Sequence, residues 1–332
     1  MTKRTKTLIL SILSVLIILG LCIPVLGAEN PILIRIAFVS PIDSDFPYPM
    51  AAKKFKAEIE EETNGRVKVQ LFGGGQLGGE RDTIEALQLG TIEAVFVANA
   101  PLSAWSKKAM LWDLPFIFRD YDHGVKVLNS DIEQEIVSEL ENVGITELGV
   151  WISDDRNVYT KNKAIYKVDD LKGIKIRVME SPVHIDTFNA LGAIATPLNF
   201  NELYTALQQG VVDGAENSTS SFWISKHGEL CKYYSFTHHF LMPAHFLMAK
   251  KFFDNLPADI REIVDRLGAE AGKYAGVVAR KGWDKDLGSM KEAGIHINEV
   301  ENIAEFRAKV QPVYDKYEEL LGDLIRRVDA IK

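Results

Sequence analysis

One joint occurs twice in the chain, and it limits the folds available more than any other feature. "ALQLGTIEAVFVAN" (86–99) and "ALQQGVVDGAEN" (206–217) share a helix end, a glycine stop and an acid at offsets matching across 120 residues. Each reaches an asparagine soon after. Glycine in that place suits a left-handed helix terminus, so each copy reads as a helix turning sharply into a strand. A spacing this long predicts two similar lobes, since solenoid repeats run at roughly 20–50 residues.

The rest of the chain alternates in the same way. "IRIAFV" (Ile34 to Val39) and "RVKVQLF" (Arg66 to Phe72) have strand periodicity, while "PMAAKKFKAEIEEETNG" and "ERDTIEALQLG" have helical spacing. Such alternation predicts an α/β fold with mostly parallel sheets. Beyond about Leu256 a long amphipathic helix is expected, capped by Asp254 or Asn255 ahead of Pro257, with a final amphipathic segment from Ile303. Both suit braces that cross back over two lobes.

The amino terminus has a different character. Lys3, Arg4 and Lys6 precede an apolar run from Leu8 that ends at small Gly27 and Ala28, the order of a secretory signal. Cleavage is expected after Gly27 or Ala28; the alternative is an uncleaved anchor, since the run is long enough to cross a bilayer. Bulky Leu21 before Cys22 weighs against lipid attachment. Losing three positive charges takes the formal net charge from −8 to −11, which argues against nucleic acid as a partner. Cys231 would then be the lone cysteine, so no internal disulfide is expected.

Candidate chemistry centres on "GIKIRVMESP". Ile174, Ile176 and Val178 share one strand face and Lys175, Arg177 and Met179 the other. A covered parallel strand should be apolar on both faces, so Arg177 needs a reason to be there. It sits near the strand's carboxyl end, where ligands bind in open α/β sheets, just before Ser181 and Pro182 at a helix start. A guanidinium can grip a carboxylate through two parallel hydrogen bonds. Either an outside anion or a neighbouring acid such as Glu180 would account for it.

"DLKGIKIRVMESPV", "LGAIATPLNFNELYTALQQGVVDGAEN" and "GRVKVQLFGGGQLGGERDTIEALQLGTIEAVFV" resemble the solute-binding proteins of tripartite ATP-independent periplasmic (TRAP) transporters, the DctP-like family. The resemblance spans about residue 32 to the carboxyl terminus. It implies a two-lobed periplasmic binding protein fold, type II-like, with long helices bridging the lobes. Residues 1–28 would be the signal, 29–153 plus 243–282 the first lobe, and 154–242 plus 283–332 the second. It also implies a monomer that captures a small organic acid in the periplasm and hands it to TRAP permease subunits, without cofactor, metal or catalysis. The family's carboxylate-binding arginine falls on Arg177, its asparagine on Asn217, a second arginine on Arg156 and an aromatic cover on Phe200.

Arg156 stands within "SDDRN" and could instead pair with Asp154 or Asp155. Trp223 is a possible second apolar wall, and Asn99 and His239 are possible polar contacts. In "VANAPL" and "HHFLMPAHF" acids present in some relatives are missing, which favours a plainer organic acid over a uronate. A sugar-acid binder and a ligand-sensing module for a receptor are the alternatives.

Other motifs lead nowhere. In "GGGQLGGERD" the phosphate-loop spacing puts Glu80 where a lysine must be. Histidines 227, 238, 239 and 245 lack the compact spacing of a zinc motif, so no metal is expected. There is no G-x-S-x-G elbow, and Cys231 has no motif around it.

Overall fold

The computed structural model describes residues 30–332, so the expected signal segment lies outside the described residues. β1 (Ile32–Ala37), α1 (Pro47–Glu62), β2 (Val67–Phe72), α2 (Glu80–Gln88) and β3 (Ala94–Ala98) alternate along the first third. Helices α3 (Tyr121–Leu128) and α4 (Asp131–Asn142) lead into the long strand β4 (Ile145–Thr160). The alternation resumes with β5 (Lys175–Val178), α5 (Pro182–Ala190), β6 (Ile194–Pro197), α6 (Phe200–Gln209), β7 (Gly214–Asn217) and α7 (Thr219–Ile224). A second long strand, β8 (Tyr233–Ala249), precedes α8 (Lys250–Asp254), α9 (Ala258–Glu292), β9 (His296–Glu299), α10 (Ile303–Lys309) and α11 (Gln311–Ala330).

The strands form one sheet in the order β2-β1-β3-β8-β4-β7-β5-β6, with β9 on β8. Its centre is antiparallel, unlike the mostly parallel sheets expected: β4 and β8 pair from Ile145 opposite Ala249 to Thr160 opposite Tyr233. The parallel pairs, β1 with β3 and β5 with both β6 and β7, lie to either side. Strand β3 pairs with the carboxyl-terminal part of β8, and β7 with the carboxyl-terminal part of β4. Two half-sheets are thus joined by two continuous strands. The β4–β8 register shifts between Ile152 and Asp154, opposite Pro243 and Met242. Proline has no N–H for the ladder, and Ser153 is the extra residue on β4, a bulge of the kind that bends a strand.

The repeated joint is visible as Gly90 (φ 72°) after α2 and Gly210 (φ 74°) after α6, both left-handed. Helix α9 lies along β4, and a Cβ at Gly268 would come within 2.6 Å of the Leu148 Cβ, so the close approach requires glycine. Farther along, Trp283 of α9 donates from Nε1 to the Ser153 carbonyl at 3.3 Å and accepts at its own carbonyl from Thr219 Oγ1 at 3.3 Å. The helix therefore touches elements of both half-sheets. It begins after Pro257 with no side-chain cap, because Asp254 and Asn255 end α8 instead.

Candidate ligand-binding site

Strand β5 lies between β6 and β7, with Arg177 opposite Thr196 and Ala215. The Arg177 side chain is only 2% exposed. Its Nε donates to the Leu198 carbonyl at 2.9 Å, and its guanidinium carbon is 5.8 Å from the centre of the Phe200 ring. That bond fixes the fork and leaves both terminal amino groups without a partner among the described residues. No ion pair to Glu180 forms. Burial lowers the Arg177 pKa, opposed by the field of Glu216. Ser181 precedes α5 as expected, but its hydroxyl donates to Asp113 Oδ2 at 2.7 Å and does not cap the helix.

Arg156 is equally buried but differently treated. Its Nε and Nη2 donate to the two Glu216 carboxylate oxygens at 2.6 and 2.8 Å, and Nη2 also donates to the Glu216 carbonyl at 2.9 Å. Nη1 donates to Asp154 Oδ2 at 3.2 Å and Asn217 Oδ1 at 2.9 Å. A guanidinium has five N–H groups, and all of them are used. Burial raises the Glu216 pKa on its own, but Arg156 more than reverses this and holds the carboxyl well below the usual range. The predicted alternative, pairing within "SDDRN", is realised through Asp154; the main partner comes from β7.

Arg156, Arg177, Asn217 and Phe200 line one cavity, which is narrow in this structure at about 30 Å³. Asn217 Oδ1 already accepts from Arg156 and from the Ser218 N–H at 2.9 Å, so its Nδ2 is the group left to donate. Polar residues on the cavity wall that went unassigned in the sequence include Ser40, Glu80 and Asp154. Ser40 Oγ and Asp154 Oδ1 are buried with no hydrogen-bond partner. Glu80 Oε1 accepts from the Ala98 N–H at 2.8 Å, and desolvation raises its pKa to about 7. The signal for Glu80 was its place as first residue of α2 after a glycine-rich loop. Gly75 and Gly79 in that loop pass against the side chains of Asn201 and Asn199, where any Cβ would clash. The loop thereby carries Glu80 up to the other half of the sheet, which puts an acid on the cavity wall although "VANAPL" and "HHFLMPAHF" hold none.

Three assignments are corrected. Asn99 does not line the cavity: Nδ2 donates to the Ala109 carbonyl and Asp113 Oδ1, both at 2.8 Å, and Oδ1 faces His245 Nε2 at 3.2 Å. It serves buried backbone and side-chain acceptors. His239 sits behind the cavity, bonded to Thr237 Oγ1 at 2.8 Å and Glu216 Oε2 at 3.3 Å, and so braces the partner of Arg156. Trp223 lines a separate surface groove with Pro41 and Lys226; only its neighbour Ile224 borders both spaces.

A mixed sheet crossed by a long helix holds a polar cavity in which the Arg177 guanidinium has no ion-pair partner among the described residues. The family described as bacterial extracellular solute-binding protein, family 7 (DctP) matches residues 39–320, and the chain belongs to it. It is 36% identical to a solute-binding protein of Verminephrobacter eiseniae over 82% of each chain. It is 33% identical to the C4-dicarboxylate-binding periplasmic protein DctP of Rhodobacter capsulatus over 92% of each. A TRAP periplasmic solute-binding protein of Pseudomonas putida F1, solved with bound D-glucuronate, superposes with a TM-score of 0.86 at 29% identity, covering 91% of this chain and 98% of that one. The protein is a periplasmic, TRAP-type solute-binding protein and not an enzyme.

Proposed function

We propose that the chain binds a monocarboxylic sugar acid, of the hexuronate or aldonate class, and delivers it to a TRAP permease. The carboxylate meets the two free amino groups of Arg177, and Asn217 Nδ2 donates a further hydrogen bond. Hydroxyls of the sugar meet Glu80, Asp154 and Ser40, while Phe200 covers one side. The observation that carries this reading is the pairing, in one cavity, of one uncompensated guanidinium with buried oxygens lacking partners.

The same pairing weighs against a C4-dicarboxylate and against the plainer acid expected from the sequence. A second ligand carboxylate would face Glu80 and Asp154, while Arg156 is already compensated by Glu216. Like charges at close range in a desolvated site are costly. A sugar acid also reaches both half-sheets, Arg177 on one side and Glu80 on the other. It thus supplies the differential contact that closure of two lobes about the bulge in β4 would require.

Thermal-shift and calorimetric titration with D-glucuronate, D-galacturonate, D-galactonate, succinate and malate tests the proposal. Stabilisation by one or more sugar acids and none by succinate or malate is expected. Tight succinate binding with no sugar-acid response would overturn it.

A further inference from the structure

We propose that Glu133, Glu147 and His245 hold a divalent transition-metal ion of the zinc class, at a site separate from the ligand cavity. These residues come from α4, β4 and β8, and one ligand atom from each lies within 4.8 Å of the others.

Hydrogen bonding around the cluster fixes what each atom can do. Asn99 Nδ2 faces two acceptors, the Ala109 carbonyl and Asp113 Oδ1, so Asn99 turns its oxygen toward His245 Nε2 at 3.2 Å. Nε2 must then carry the ring proton and donate it. The other ring nitrogen, Nδ1, faces Glu147 Oε2 at 2.6 Å, so imidazole and carboxylate converge on one space. A second observation points to the same space: Glu133 is 5% exposed, its Oε2 accepts from Trp112 Nε1 at 2.8 Å, and its Oε1 is buried without a partner. Among the described residues, no lysine or arginine pairs with Glu133 or Glu147.

The surroundings match a metal's supporting shell. A ligating histidine donates its other N–H to a fixed acceptor, here Asn99, and a ligating carboxylate is itself hydrogen-bonded, here by Trp112. Two carboxylates and one imidazole suit zinc-class ions and leave a fourth position for water. Glu147 is the half-buried member, and it borders a surface groove with Tyr121 and Lys273 that gives access from solvent. The ligands lie far apart in sequence, so a search for compact spacing passes over them.

The rival occupants are protons, one between His245 Nδ1 and Glu147 Oε2 and one shared by the two carboxyls, and one experiment separates them from a metal. Chelator-treated protein is titrated with Co2+, read by its visible d–d absorption, and then with Zn2+ in competition. Expected are a single Co2+ per chain with the intense spectrum of low coordination number, and its displacement by Zn2+. Glu133→Gln should weaken uptake at least about tenfold and Trp112→Phe about 10- to 100-fold, each with an unchanged far-ultraviolet dichroism spectrum. Failure of the wild-type protein to take up one equivalent would overturn the proposal, as would equal uptake by Glu133→Gln. The wild-type arm does not depend on any variant folding.

Discussion

Arg156 and Arg177 border the same cavity and are equally buried, at 2% exposure each, yet the chain treats them in opposite ways. Every N–H of Arg156 meets a protein acceptor, chiefly Glu216. Arg177 spends one N–H on a backbone carbonyl and leaves its fork open. Burial is therefore a poor guide to which charge serves a ligand. Compensation is the better one, because a buried ion without a counter-ion costs folding energy that a ligand carboxylate can return on binding.

The largest effect expected from this contrast falls on Arg156. Arg156→Met strands Glu216 as a buried carboxylate and should destabilise the ligand-free protein by about 3–5 kcal/mol, measured by urea unfolding. Arg177→Met removes an uncompensated charge, so the ligand-free melting temperature should hold or rise. Sugar-acid affinity should nonetheless fall by about 2–5 kcal/mol in calorimetry. Equal loss of stability in the two variants would break the comparison.

Glu80 sharpens it through pH. Its carboxyl, ordinarily near 4.5, is raised to about 7 by desolvation, so the folded state holds the proton more tightly than the unfolded chain. Its contribution to stability is complete below about pH 4.5 and is lost as pH rises toward 7. Glu80→Gln escapes that loss. It should gain on the wild type by about 3 kcal/mol across the window in ligand-free unfolding experiments; parallel pH profiles would refute the shift. The smallest effects belong to the aromatics. Phe200→Leu should cost about 1 kcal/mol of sugar-acid affinity through lost cation–π and wall contact, whereas Trp223→Ala, outside the cavity, should change affinity by less than about 0.5 kcal/mol.

Local patterns were the legible part of this molecule. The doubled glycine joint and the strand bearing Arg177 depend on residues within a few positions of one another, and both elements stand where the periodicity puts them. The antiparallel centre was hidden because β4 and β8 are each interrupted, by "SDDRN" and by a mid-strand proline, and their pairing joins residues up to 104 positions apart. Glu80 was passed over because its place depends on a tight loop meeting Asn199 and Asn201 across the cleft. Asn99 and His239 carried the right chemistry for a ligand contact. They answer instead to Asp113, His245 and Glu216, acceptors and donors that only the folded chain brings near.

The most direct test compares D-glucuronate with D-glucuronamide, which replaces the carboxylate by a neutral amide, on the wild type and on Arg177→Met by calorimetry. The wild type should prefer the acid by about 100-fold or more, and the variant should bind the two alike. A variant that keeps the preference for the acid would show that some other group holds the carboxylate.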